Sequence, residues 1–159
     1  MQYPWNYGAV MSRRRKYPSA GTATQRLRVG FVTPGLGVGG AERWVVSLAK
    51  HLDPAKIEVS GILSIGVNDP LSPEASRYCP LFQQTEAAEF CARTDVVIAW
   101  GWHAMKDLLK GFKGRVIGVS HASPLQEWHL KVCRSMTEQP GIELVGVSKR
   151  SLDVWQTAH

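Results

Sequence analysis

Residues 29–52 read VGFVTPGLGVGGAERWVVSLAKHL, and this stretch decides the fold. It opens with a short apolar run, 28–33, that Pro34 and four closely spaced glycines bring to an end. From Ala41 onward, Trp44, Val45, Leu48, Ala49 and Leu52 recur at the spacing of one helix face, so 41–52 is predicted as an amphipathic helix. Asp53-Pro54 stops it. A buried strand, a glycine turn and a helix in direct succession form the first half of a crossover unit in a parallel sheet.

The turn itself, Gly35-Leu-Gly37-Val-Gly39-Gly40-Ala41-Glu42, is built for close backbone approach. Its glycines leave space that a side chain would fill, and the first amides of the helix have no partner within the helix. The N–H groups of Gly40, Ala41 and Glu42 are therefore expected to present positive partial charge to a phosphate or carboxylate. Gly35-x-Gly37-x-x-Gly40 satisfies the dinucleotide spacing. Its usual companion, an acid at the end of the second strand that holds a ribose, is missing: residues 62–66 read ILSIG, and Glu58 stands at the wrong end of that strand. A tight turn that needs glycines and binds nothing is the competing reading.

The rest of the chain continues the alternation. Strands are predicted over 57–65, 95–100, 115–119 and 143–147, and helices over 85–93, 104–110, 123–136 and from 149 to 157. Thr85 is read as the cap of the first of these helices. Residues 66–80 carry three prolines and Asn68-Asp69, so they are read as loop. Apolar strands separated by helices imply a parallel sheet covered on both faces, hence a Rossmann-like, doubly wound α/β domain. In such sheets ligands sit beyond the carboxyl ends of the strands. That rule points to residues 35–40, to Gly101, Trp102 and His103, to 121–123 and to Ser148.

Composition bounds the alternatives. The 159 residues are 44% hydrophobic and 20% charged, which suits one globular domain. Lysines and arginines number 19 against 13 acids, a net charge of +6. Six of those bases, Arg13, Arg14, Arg15, Lys16, Arg26 and Arg28, fall within residues 1–28, where there is no acid. The remainder is balanced, so a basic face for nucleic acid is not expected. Residues 1–27 read as a flexible basic tail, with Met11 an alternative start. Tyr3, Trp5 and Tyr7 beside its four consecutive bases suggest peripheral contact with an anionic membrane surface, against the plainer reading of a solvated arm. The domain proper is placed at 28–159. No apolar run is long enough to cross a bilayer, and no secretory signal is legible. Three widely spaced cysteines, Cys79, Cys91 and Cys133, suit a reducing, cytoplasmic compartment.

Taken together, the quoted opening, DVVIAWG at 95–101, VIGVSH at 116–121 and VGVSK at 145–149 resemble, in register, the N-terminal domain of retaining glycosyltransferases of family 4, which have the GT-B fold. The likeness runs over about 28–156. It implies the acceptor-side half of a two-domain enzyme that moves a sugar from a nucleotide-sugar donor to a glycan, lipid or small-molecule acceptor. The donor-binding C-terminal GT-B domain would be a separate or missing partner, and this chain alone would transfer nothing. The nucleotide-sugar is a co-substrate, and no other cofactor is implied. By resemblance, Gly39, Gly40 and Ala41 lie in the loop that approaches the donor phosphate. His121 matches the histidine that lines the cleft near the transferred sugar. Where the family often has His-x-His-Gly, this chain has Ile98-Ala99-Trp100-Gly101, a departure that suggests a more apolar or stacking acceptor pocket.

Other candidates weigh less. Trp100, Trp102 and His103 make either a sugar-stacking platform or one core and one loop tryptophan. His129 and Cys133 stand a helical turn apart, but with His121 they do not make a convincing zinc set, so no metal is expected. Glu42 reads as a favourable first-turn charge, and Cys91 and Cys133 as small buried hydrophobes. No carboxylate pair suggests a glycosidase. The alternative from another class is a non-catalytic Rossmann-like module that binds a nucleotide or another anion.

Overall fold

The computed structural model describes residues 25–66, 69–100, 106–121, 141–149 and 151. Most of the tail, the predicted helix at 123–136 and nearly all of the one at 149–157 lie outside these residues.

Six strands form one sheet: β1 (Leu27–Thr33), β2 (Ile57–Ser64), β3 (Leu81–Phe82), β4 (Val96–Ala99), β5 (Arg115–Ser120) and β6 (Ile142–Gly146). Every neighbouring pair is parallel, in the order β3-β2-β1-β4-β5-β6. The chain starts in the middle, steps outward through β2 and β3, then returns to the other side of β1 and steps outward again. This is the doubly wound Rossmann arrangement, with its switch point between β1 and β4. The helices among the described residues include α1 (Gly40–His51), α2 (Ser72–Ala75) and α3 (Ala87–Ala92), with 3-10 turns at Gln84–Glu86 and Lys106–Leu109.

Successive strand residues point to opposite faces, and each face has its own core. On one side Val29, Phe31, Ile62 and Val96 pack with Val45, Val46 and Ala49 of α1 and with Leu71 and Ala75. On the other, Val32, Leu63 and Val97 pack with Phe82, Phe90 and Leu109. The ring of Phe31 is fully buried, a burial that contributes roughly 1.5–3 kcal/mol.

A bulge sets the register of the central pair. Val29 pairs with Val59 but Gly30 pairs with Gly61, so Ser60 is the extra residue. Its hydroxyl is hydrogen-bonded to that of Thr94 at 2.7 Å, and Thr94 donates to the Phe90 carbonyl at 2.8 Å. At the amino ends of the strands, Arg28 donates from Nε and Nη2 to the two carboxylate oxygens of Asp95, at 3.0 and 2.7 Å. This two-pronged pair ties β1 to β4 and holds the Asp95 carboxyl below its usual range. An ion pair between Arg115 Nη2 and Glu143 Oε2 ties β5 to β6.

Two predicted features differ. The 66–80 loop contains α2, and β3 follows directly on it. The predicted helix at 85–93 begins as a 3-10 turn and is entered at Gln83, whose N–H donates to Glu86 Oε2 at 2.7 Å. This capping box takes the place of the expected Thr85 cap. Of the predicted helix at 104–110, the described part is the 3-10 turn Lys106–Leu109.

Candidate functional site

The glycine loop leaves the carboxyl end of β1 at the switch point. Its front half is pinned. Thr33 Oγ1 donates to the Gly35 carbonyl at 2.7 Å. The Leu36 side chain is 1% exposed and packs into the α1-side core. Leu36 N–H donates to Asp69 Oδ2 at 2.6 Å, and the Leu36 carbonyl accepts from Leu71 N–H at 2.9 Å. Both backbone groups of Leu36 are thus paired with the segment that follows β2.

The rear half is open. A β-carbon placed at Gly37 or Gly40 would meet nothing within 4 Å. Gly39 is the N-cap of α1 and makes no side-chain cap bond. The Glu42 carboxylate, the far end of a flexible side chain, folds back over Gly39. Ala41 stands in the first turn of α1, as the sequence reading requires. Val38, at the tip, is 65% exposed, and its carbonyl accepts from Arg43 Nε at 3.3 Å.

His121 is the first residue after β5, and Trp100 the first after β4, so both stand at the carboxyl edge beside the loop. The imidazole packs edge-on against Trp44 of α1, with centroids 4.9 Å apart, and against Trp100 at 5.9 Å. Burial pushes the imidazole pKa down, and the Glu42 charge partly opposes that. His121 is therefore a neutral ring at neutral pH, able to donate from one nitrogen and accept at the other. Its Nε2 atom and Trp100 Nε1 are buried and have no hydrogen-bond partner among the described residues. Two unpaired polar atoms in one aromatic cluster are costly unless a further group meets them.

The structure thus brings His121 to the first turns of the helix that carries Gly40 and Ala41. Gly101, Trp102 and His103, and likewise His129 and Cys133, lie outside the described residues. Among the described residues no three His, Cys, Asp or Glu side chains converge as metal ligands. Cys79 is buried and its thiol is pushed up to about 12, while burial also raises the partly buried Cys91, so neither is a ready nucleophile. A depression of about 140 Å³ lies between α1 and α2, lined by residues that include Arg43, Lys50 and Glu74. It is too small for a nucleotide, for which sites of roughly 300 Å³ or more are usual.

Sequence reasoning missed Asp69 and Trp44. Asp69 was available only as an acid a few residues beyond the second strand, and Trp44 only as one member of an apolar helix face.

No family model matches the chain, and no curated protein matches it. Among the solved structures similar to it in shape are two enzymes of low sequence identity. One is homoserine dehydrogenase of S. aureus at pH 6.0, with 18% identity and a TM-score of 0.45, covering 77% of this chain and 32% of that one. Another is GenD2 from gentamicin A biosynthesis in complex with NAD, with 15% identity and a TM-score of 0.47, covering 80% of this chain and 36% of that one. This chain spans about a third of the length of each.

Proposed function

We propose that this domain is a Rossmann-like module that binds a nucleotide-type ligand, with a phosphate of that ligand on the amides of residues 37–40. The observation that carries the reading is the unfilled space at Gly37 and Gly40, at the start of α1 and at the switch point of the sheet. Once the flexible Glu42 carboxylate swings off Gly39, an anion placed there meets amides with no partner in the helix and the positive end of the α1 dipole. The test is Gly40→Asp. An acid at the first helical position favours α1, so the unfolding midpoint should hold or rise. The same carboxylate repels a phosphate, so binding of ADP or pyrophosphate, followed by calorimetry, should weaken by about tenfold or more. Unchanged binding in a folded Gly40→Asp variant would refute the site.

A second reading is favoured by the position of His121. In it the domain is the acceptor-side half of a retaining glycosyltransferase, and its ligand is a nucleotide-sugar. The donor phosphate approaches Gly39, Gly40 and Ala41. The neutral imidazole of His121 hydrogen-bonds a hydroxyl of the transferred sugar, and a glycan or lipid acceptor enters over Gly101, Trp102 and His103. The partner is a C-terminal GT-B domain that binds most of the donor. Retention needs no metal and no redox cofactor in this scheme, since stabilising the leaving phosphate is the main electrostatic task. A cytoplasmic setting, peripheral to a membrane through the basic tail, belongs to the same proposal. Among the described residues no helix is long and apolar enough to cross a membrane.

A further inference from the structure

Three aromatic side chains from three separate crossovers meet at the carboxyl edge of the sheet. Trp44 stands on α1, one turn after Gly40 and Ala41, Trp100 follows β4, and His121 follows β5. The imidazole lies 4.9 Å from the Trp44 ring at an interplanar angle of 70°, and 5.9 Å from the Trp100 ring at 68°. Both contacts are of the edge-to-face kind that ring quadrupoles favour. The two tryptophans are held in turn, since both pack against the α1-side core. A functional imidazole is commonly oriented by a hydrogen bond at the nitrogen turned away from its ligand. Here Nε2 is buried with no such partner among the described residues, so at that nitrogen the ring is oriented by packing. Glu42, in the first turn of α1, is the charged group that acts on it.

From this geometry we infer that Trp44 is a positioning residue for His121: together with Trp100 it clamps the imidazole in one orientation beside the glycine loop, set to hydrogen-bond a ligand hydroxyl. The inference rests on the transferase reading above, in which that hydroxyl belongs to the transferred sugar, and adds to it a residue that acts only through His121. A side chain that is already immobile loses less freedom on binding, so the clamp raises affinity for the sugar and leaves affinity for a bare phosphate alone. Because Trp44 and the loop amides share the first turns of α1, one rigid element also sets the spacing between phosphate and imidazole.

The experiment is NMR spectroscopy of the whole chain, unsubstituted and with Trp44→Phe or Trp44→Leu, the His121 ring signals being assigned through His121→Gln. In the free unsubstituted chain the imidazole protons should cross-relax with both indoles and lie away from the positions of a solvated histidine. Trp44→Phe keeps a ring at the contact and should keep that displacement. Trp44→Leu keeps only an apolar side chain, so the signals should move toward solvated positions and the ring should titrate at a higher pH. UDP-glucose should bind Trp44→Leu about threefold to tenfold more weakly than the unsubstituted chain, the cost of immobilising one side chain, while pyrophosphate binds both equally. Missing cross-relaxation in the unsubstituted chain overturns the inference with no variant needed. So do imidazole signals that ignore Trp44→Leu, and so does an equal loss for the two ligands, which would make Trp44 a support of α1 alone. A clamped imidazole that UDP-glucose leaves unmoved in the unsubstituted chain overturns the transferase reading instead, so the two failures are distinguishable.

Discussion

His121 makes the most specific claim of any single residue. Its folded pKa lies below the ordinary 6.5 because burial disfavours the imidazolium. The sign follows from linkage. Below pH 6.5 the unfolded chain takes up a proton that the folded one resists, so stability from this residue is full above that pH and falls on acidification. Replacing His121 with Gln removes the titration. The urea midpoint of the unsubstituted chain should therefore fall relative to that of His121→Gln between pH 7.5 and 5.5. A constant difference would mean that the ring is solvated. The sequence placed His121 past the end of a strand and beside the loop. It could not show that Trp44 and Trp100 would enclose the ring, because that contact joins residues from three separate crossovers. Asp69 escaped notice for a similar reason. Its carboxylate acts on Leu36, 33 positions away in sequence, across a loop with no periodicity to read.

Among the elements, those with strong local patterns are where the sequence puts them. The alternation of helix-face residues in 41–52 becomes α1 within one residue at either end, and the apolar runs become β1, β2, β4, β5 and β6. What was illegible was short. β3 is two residues long and α2 is four, with Pro73 in its first turn, so neither spans a period. The bulge between β1 and β2 was also hidden, since it depends on which large ring crosses which glycine. A β-carbon at Gly30 would lie 2.5 Å from Phe90 Cζ and 3.0 Å from Ser60 Oγ. Gly30→Ala should consequently destabilise the domain by about 1–3 kcal/mol through overpacking, measured by urea unfolding. Pairing it with Phe90→Leu should recover part of that loss relative to Phe90→Leu alone, because the atoms in conflict are then gone. Additive costs in the double mutant would show that the Phe90 ring moves aside freely.

At the scale of the whole molecule, the sheet order fixes where a ligand can sit but not what reaction follows, since many chemistries share this architecture. The two functional readings part company over how much of the ligand this domain holds. If it is a self-sufficient nucleotide module, the loop amides and the α1 dipole act together, and ADP affinity is a property of this chain alone. If it is half of a transferase, its share of the donor is the phosphate edge and one sugar hydroxyl, so UDP- or GDP-sugar should bind the isolated chain only weakly, with Kd above about 1 mM, a free energy of about −4 kcal/mol. Supplying a donor-binding GT-B domain, fused or in trans, should then tighten that binding and yield transfer with retention. His121→Ala in the assembled enzyme should cut turnover by about a hundredfold or more while the unfolding midpoint stays within a few degrees. Micromolar nucleotide-sugar binding by the isolated chain, or an assembled enzyme indifferent to His121→Ala, would leave the module reading standing and remove the transferase from consideration.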